Sequence, residues 1–533
     1  MKALLLLLLF VAPQSDPVLE RVLKEGKGDN RVMDHLDHLS NRIGPRLTGS
    51  ANLTKACEWT KAQFESWGLR ARMEEWGTFP VGFERGPWSA RMSEPEAKEL
   101  TIGTNSWTAG TAGPVTAPAV LAPSTDAALK EMKESLKGAW VISTSRGPDK
   151  YQVAYDEAGI AGIIKSMPGE LILTGGNPRI EWEKLPKRVT VNMIASQHKA
   201  IVEHLKAGKK VTLTIDISNR FVQGPVKLYN VIADIPGTEK PDEFVIFGGH
   251  IDSWDGATGT TDNGTGISTT MEAARLLAMA GAKPKRTIRF MLWSGEEQGL
   301  LGSRAYVKAH PEEMKGISAV FVHDMGTNYL SGIPATEAMF PIFEKVFKPA
   351  MELDAELKFA VKKSDGLPRM GGSDHFSFLQ VGVPGLFWEQ GRTKEKGQTY
   401  SREHHTQHDV YSTAIPEFQK HSAMVVAIAA WGLANLEGLL PREGLVSSKA
   451  PPRGRRRQLG VECEDDLVLG AVYDGSVAAK AGLKPGDKIL KFAGKDQADL
   501  SALRDAIQKA PKETKVVIKR DGKEVELPVV FTE

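Results

Sequence analysis

The chain has 533 residues, 41% of them apolar, which is too long for one hydrophobic core and suggests about three units at ~150 residues per domain. Its 68 basic and 66 acidic side chains leave a formal charge of only +2, so composition makes no electrostatic case for nucleic-acid binding. Two cysteines, Cys57 and Cys463, are too few for a disulfide framework and are expected to be separate buried thiols.

Met1-Lys2, the apolar run Leu4 to Val11 and the small-residue break Ala12-Pro13 read as a short secretory signal over residues 1–15, implying a secreted or periplasmic protein; the rival reading is an apolar helix of the mature fold. No other stretch approaches the ~20 apolar residues that cross a bilayer, so no membrane span is expected after signal cleavage. Residues 16–105 contain an amphipathic helix, Ala51 to Trp67, with Ala56, Trp59, Phe64 and Trp67 near helical spacing. A Gly/Thr/Ala/Pro stretch, Thr108 to Pro123, then opens a segment of different rhythm, residues 106–220. Its pattern is a strand at Ala139–Ser143, a helix at Tyr151–Ala158, and strands at Ala161–Lys165, Thr190–Ile194 and Val211–Ile215. With Glu157-Ala158-Gly159-Ile160-Ala161-Gly162 as its turn, this segment resembles a protease-associated domain inserted into the surrounding one. Such an insert is a lid or a substrate-restricting wall, and its rival reading is a passive decoration.

Residues 221–440 carry the chemistry. Apolar residues Glu243 to Gly249 read as a buried strand ending at His250, a position where open α/β sheets place their sites. Asp252, two residues on, can hydrogen-bond the ring nitrogen that His250 does not give to a metal. Asp262 sits in a Gly/Thr/Asp/Asn loop before the helical pattern Ile267 to Met279, well placed to bridge two cations. After the strand Thr287 to Trp293, the adjacent side chains of Glu296 and Glu297 diverge. One can bind metal while the other faces the attacking water, and Glu297 is assigned to metal and Glu296 to base. His323-Asp324 and His404-His405-Thr406 add further donors. A lone His or Asp near a strand end is usually a cap or a satisfied polar group. Together these segments supply enough nitrogen and oxygen ligands for two zinc ions and a spare carboxylate.

On these segments the chain resembles the M28 family of zinc aminopeptidases, in its plasma glutamate carboxypeptidase-like branch, whose members act on short peptides. The similarity runs from the family's opening motif, Ile43-Gly44-Pro45-Arg46-Leu47-Thr48-Gly49-Ser50, to about Leu439. It implies a mostly parallel α/β sheet sandwiched by helices, with peptidase parts at 16–105 and 221–440. It further implies that His250, Asp262 and Asp324 hold one zinc and that Asp262, Glu297 and His405 hold the other. Glu296 matches the general base and Asp252 the acid that orients the histidine. Gly372-Ser373-Asp374-His375 matches a loop near the substrate, which makes Ser373 and His375 substrate-binding residues and His375 a stabiliser of the reacting carbonyl. Where the family often has Tyr before the last histidine ligand and Asp-Thr after it, this chain has His404 and Asp409-Val410. His323 and His408 read as packing or surface histidines, His404 as either a neighbour of the site or a loop residue, and Asp374 equally well as a turn former.

Residues 441–457, rich in Ser, Pro and Arg, read as a linker. Beyond it, Leu459-Gly460-Val461 and the string Gly475 to Leu490, with a helix at Asp499–Lys509, are similar to the PDZ family, which gives a β-rich domain at 458–533. PDZ domains bind peptide carboxyl ends by strand addition, with Gln458 to Val461 here as the carboxylate loop. The whole reads as an exported di-zinc metallopeptidase, an aminopeptidase or dipeptidase with a peptide substrate. A glutaminyl cyclase of the same family and a non-catalytic receptor-like protein on the same fold are the alternatives.

Overall fold

A computed structural model describes residues 16–144, 150–367, 372–446, 457–463, 467–472, 475–498 and 500–531. The expected signal at 1–15, most of the linker and Asp499 lie outside them. The described residues fall into two compact units, one drawn from residues up to 82, 223–404 and 408–446, the other from 83–222, 405–407 and 457 onward.

In the first unit the strand Lys240–His250 lies between the parallel strands Arg286–Trp293 and Ile317–Val322. Gly385–Phe387 continues the parallel order beyond Ile317–Val322, and Val231–Ile235 pairs antiparallel with Ile288–Leu292 on the other side. Every residue of Arg286–Trp293 is buried, as a strand covered on both faces requires. Side chains alternate along Lys240–His250: Val245 and Phe247 enter one core, Phe244 and Ile246 the other. The first core is closed by the helices Thr265–Met279, Pro416–Ala434, Pro17–Gly28 and Ala51–Ser66, the second partly by Leu301–Ala309 and His375–Leu379. This is the α/β sandwich that the alternation of strands and helices predicts.

The helix Ala51–Ser66 starts where Ser50 accepts the Leu53 N–H, and it stops one residue short of the expected Trp67. Ala56 and Phe64 are buried, whereas Trp59 stacks on His38 with ring centroids 4.1 Å apart. Two arginines of the central strand are neutralised within the fold. Arg286 donates to Glu243 at 3.0 Å and to the Leu433 carbonyl at 2.8 Å, and Arg289 pairs with Asp234 and Glu313.

In the second unit, Val115–Leu121, Trp140–Ile142, Gly162–Ser166 and Thr190–Met193 form a parallel run. It is flanked antiparallel by the start of the strand Thr212–Ile235 on one side and by Ile102–Gly103 on the other. Trp140, Ile142, Ile164, Val191, Leu213 and Ile215 fill one face, and Val141, Tyr151, Tyr155 and Ile163 the other. The strands lie within a residue or two of their expected positions; only the last is much longer.

The carboxyl-terminal segment has its own core of Leu459, Leu469, Ala478, Ile489, Phe492, Leu503, Val516, Ile518 and Val529. Lys488–Phe492, Glu513–Arg520 and Lys523–Val530 make its main antiparallel sheet, beside the helices Val477–Ala481 and Leu500–Lys509. Cys57 is buried as expected, but Cys463 is only half-buried. Among the described residues no helix is long and apolar enough to cross a membrane.

The start of the Thr265–Met279 helix presses on the sheet through a glycine. A Cβ on Gly266 would lie 2.2 Å from the His323 carbonyl oxygen and 2.4 Å from Asn263 Oδ1. Gly266→Ala should therefore push the helix off the strand ends and destabilise the protein by about 1–3 kcal/mol in urea unfolding; an unchanged midpoint would show that this approach is not tight.

Candidate metal centre

Three neighbouring parallel strands end together and deliver the donors. His250 is the last residue of its strand, Asp324 follows Val322 by two residues, and Glu296 and Glu297 follow Trp293. His250 Nε2 lies 3.0 Å from Asp262 Oδ1 and 3.0 Å from Asp324 Oδ1. A tetrahedral zinc with ligands at ~2.0–2.1 Å sets its donors about 3.3 Å apart, so this trio fits such an ion. His250 Nδ1 is 3.0 Å from the Asp252 carbonyl oxygen, a contact that fixes the ring and leaves Nε2 to face the cluster. Burial by itself lowers the His250 pKa, but the carboxylates of Asp324 and Glu296 reverse this and hold it well above the ordinary value.

The Asp252 carboxylate does more than face His250 Nδ1, from which it stands 3.6 Å away. It is fully buried, takes a 2.8 Å hydrogen bond from Thr48 Oγ1, and accepts the Glu296 and Glu297 N–H groups at 3.3 and 3.2 Å. It thereby ties the glutamate turn to the histidine strand. Glu297 Oε1 accepts the Trp254 N–H at 3.3 Å. Burial, with the charges of Asp324 and Glu297 adding to it against the pull of His250, pushes Glu296 well above the usual carboxylate range. A carboxyl that favours its protonated form more than an ordinary one is suited to taking up and returning a proton.

Asp262 is held from behind by Asp409, which accepts the Thr261 N–H and, at 3.2 Å, the Asp262 N–H. Burial and the neighbouring Asp262 raise Asp409 to about 7. Asn263 Nδ2 donates to the His323 carbonyl at 2.7 Å and so moors the same turn to the strand end. Arg46, fully buried, donates to the carbonyls of Leu39, Gly44, Ile251, Thr258 and Gly259, and burial lowers its pKa to about 10. It lashes the opening motif to both ligand loops.

His404 Nε2 stands 3.5 Å from Asp262 Oδ2, with its ring stacked on Tyr400 at 4.6 Å. His405, the next residue, has φ +60°, a left-handed conformation that costs a non-glycine residue roughly 1–2 kcal/mol. His323 is buried and held to about 4 by that burial, which makes it a neutral packing residue; His408 is half-buried. Ser373 is fully buried and close enough to Asp324 to favour its ionised form. His375 starts the short helix His375–Leu379 with its ring 4.9 Å from Phe387, and burial lowers it to about 4, so it is a neutral imidazole. Asp374, fully buried between them, is raised by burial to about 7.

Buried parallel strands ending at a histidine, an aspartate and paired glutamates, with a second aspartate supplied by the turn before a helix, define a metal-dependent hydrolase. Residues 230–429 match the family model for Peptidase family M28, and residues 468–520 that for the PDZ domain. Carboxypeptidase Q of Rattus norvegicus is 30% identical over 438 residues, covering 78% of this chain and 88% of the relative, and that of Bos taurus is 29% identical over 439 residues, with the same coverage. The crystal structure of a peptidase M28 precursor from Shewanella amazonensis SB2B is similar with a TM-score of 0.58 and 25% identity, over 82% of this chain and 98% of that one. A zinc aminopeptidase from Bacillus subtilis shares the fold at a TM-score of 0.50 and 20% identity, over 78% and 97% of the two chains. The chain belongs to peptidase family M28 and is a metallopeptidase that carries a PDZ domain.

Arg46→Lys keeps the charge but cannot reach five carbonyls, and each buried acceptor left unpaired costs about 1–3 kcal/mol. The variant should lose about 3 kcal/mol or more in urea unfolding; a loss below 1 kcal/mol would mean that water or rearrangement replaces the guanidinium.

Proposed function

We propose that the protein is an exported di-zinc exopeptidase that cleaves the first peptide bond of short peptides or splits dipeptides. The observation that carries this reading is the convergence of His250, Asp262 and Asp324 at 3.0 Å beside a glutamate that burial pushes well above the usual carboxylate range. His250, Asp262 and Asp324 would hold one zinc; Asp262, Glu297 and His405 would hold the second. Bound there, two zinc ions lower the pKa of water toward neutrality and polarise a carbonyl. Glu296 takes the proton of the attacking water and passes it to the leaving amine. Asp252 keeps Glu296 and Glu297 at fixed positions through their N–H groups. Neutral His375, with Ser373, would face the reacting carbonyl and donate to it as charge develops.

The relatives named carboxypeptidase Q carry an activity at the other chain end in their name. Dipeptide cleavage satisfies both descriptions, because a dipeptide has both ends at the one scissile bond. The insert at 106–220 is read as a protease-associated wall beside the substrate. The PDZ domain would bind peptide carboxyl ends at the loop Gln458 to Val461, where Gly460 has φ +79° and the Leu459 carbonyl accepts the Ala478 N–H at 2.8 Å.

Glu296→Gln should cut kcat by about 10²-fold or more while zinc content stays at the wild-type value. Loss of zinc in that variant would exchange the roles of the two glutamates. On substrate, a dipeptide with a free amino group should be cleaved to free amino acids and its N-acetylated form should not. Equal cleavage of both, or a pyroglutamyl product from a glutaminyl peptide, would reject the aminopeptidase reading.

A further inference from the structure

The segment Gly169–Gly176 of the second unit has no role in the reading above, yet it is tied to that unit at both ends and in the middle. At one end, Glu170 receives the Ser196 N–H at 2.9 Å and its hydroxyl at 2.7 Å, and the Ala195 N–H reaches the Gly169 carbonyl at 2.9 Å. In the middle, Ile172 is buried against Gly103, where a Cβ would come within 2.5 Å of its methyl group. At the other end, the Gly175 carbonyl accepts the Ser106 N–H at 2.8 Å, and Gly176 passes so close to Ser106 that a Cβ would sit 2.7 Å from its carbonyl oxygen. A loop fastened at three points is a rigid strap.

What the strap grips is the segment His405–Gln407. Leu173 pairs antiparallel with Thr406, and the Ile172 N–H donates to Gln407 Oε1 at 2.8 Å. Gln407 Nε2 returns a bond to the Glu170 carbonyl at 3.3 Å. The His405 carbonyl oxygen accepts twice from one residue, the Thr174 N–H at 2.8 Å and the Thr174 hydroxyl at 3.0 Å. That carbonyl belongs to a residue at φ +60°, a backbone state that an isolated histidine rarely keeps. Holding the carbonyl holds the peptide plane, and the peptide plane sets the direction in which the imidazole leaves the chain.

We propose that Thr174 is a positioning residue for His405, and that the strap presets this imidazole to bind a metal ion. The inference rests on the assignment of His405 as a zinc ligand made above. Outer partners that orient a metal ligand are worth about 10–100-fold in metal affinity, which sets the expected scale. The Thr174 N–H donates to the His405 carbonyl whatever the side chain, so the hydroxyl is the second tether, which serine keeps and valine, of the same shape, lacks.

The test uses the full chain with zinc as the probe, reading zinc bound per chain against buffered free zinc and the melting temperature of the metal-free form. Thr174→Val should weaken one of two ions by about tenfold, leave the other unchanged and leave the metal-free melting temperature within a degree or so of wild type. Thr174→Ser should restore the lost affinity. If Thr174→Val binds both ions as wild type does, the strap has no positioning role and the proposal falls. A parallel weakening of both ions together with a lower metal-free melting temperature would overturn it in favour of plain structural support. His405→Ala, run alongside, separates the two levels of the argument. If it keeps both ions, the ligand assignment fails and the proposal with it; if it loses one ion where Thr174→Val loses none, only the strap is refuted.

Discussion

Negative charge packed into a dry place is the constraint on which this site depends. Asp252, Asp262, Asp324, Asp374 and Asp409 are all nearly or fully buried, and Glu296 and Glu297 stand beside them. Among the described residues of the same unit, His250 and Arg46 face them as cations and His404 stands near Asp262. Burial of a carboxylate is costly unless a cation is close. The cost shows as raised pKa values: Asp374 and Asp409 are both pushed to about 7, chiefly by burial, and Asp324 is raised for the same reason. Bound zinc would offset this charge where His250, Asp262 and Asp324 converge.

The sheet makes this concentration possible. Parallel strands put their carboxyl ends side by side, so ligands far apart in sequence meet without long loops. Glycine makes the approach close: Gly266 lets a helix start against the His323 carbonyl, and its N–H takes up Asn263 Oδ1 at 3.0 Å. Hydrogen bonds then fix each acid from the side away from the cluster. Asp409 grips Thr261 and Asp262, Thr48 grips Asp252, and Asp252 grips both glutamates. In such an arrangement the reacting groups are set before substrate arrives, which is the condition for electrostatic catalysis.

The sequence revealed what is local or periodic. The strand read from Glu243 to Gly249 runs Lys240–His250, and the helix read from Ile267 starts at Thr265, because burial on a sheet leaves an apolar run and a helix leaves a period. The trio His250, Asp262 and Asp324 was legible from motifs, and the structure brings it together. Less legible were groups that act at long range. Asp409 lies 147 residues from the Asp262 it supports, and Arg46 lies 213 residues from the Gly259 carbonyl it binds. Both fall in stretches compared with family motifs, but neither stretch announces which distant backbone groups the side chain holds. The closest Nδ1 partner of His250 is a main-chain carbonyl, which no side-chain pattern announces. The grip of Thr174 on His405 is invisible for the same reason, since its acceptor is backbone.

The central claim, that the acid cluster is built for divalent cations, bears directly on stability. Asp374, Asp409 and Glu403 have folded values of about 7, raised chiefly by burial, against ordinary values near 4. Between those limits these three groups bind more protons in the folded metal-free chain than in the unfolded one and their contribution to stability falls as pH rises from about 4 to 7, while His323 and His375, held to about 4, work the other way below about 6.5. Zinc must oppose that fall by stabilising the ionised cluster. The decisive measurement is the melting temperature from pH 5.5 to 7.5 with and without saturating zinc. The gap opened by zinc should widen as pH rises over that range. Parallel curves, or no zinc-dependent gap at pH 7.5, would contradict the account.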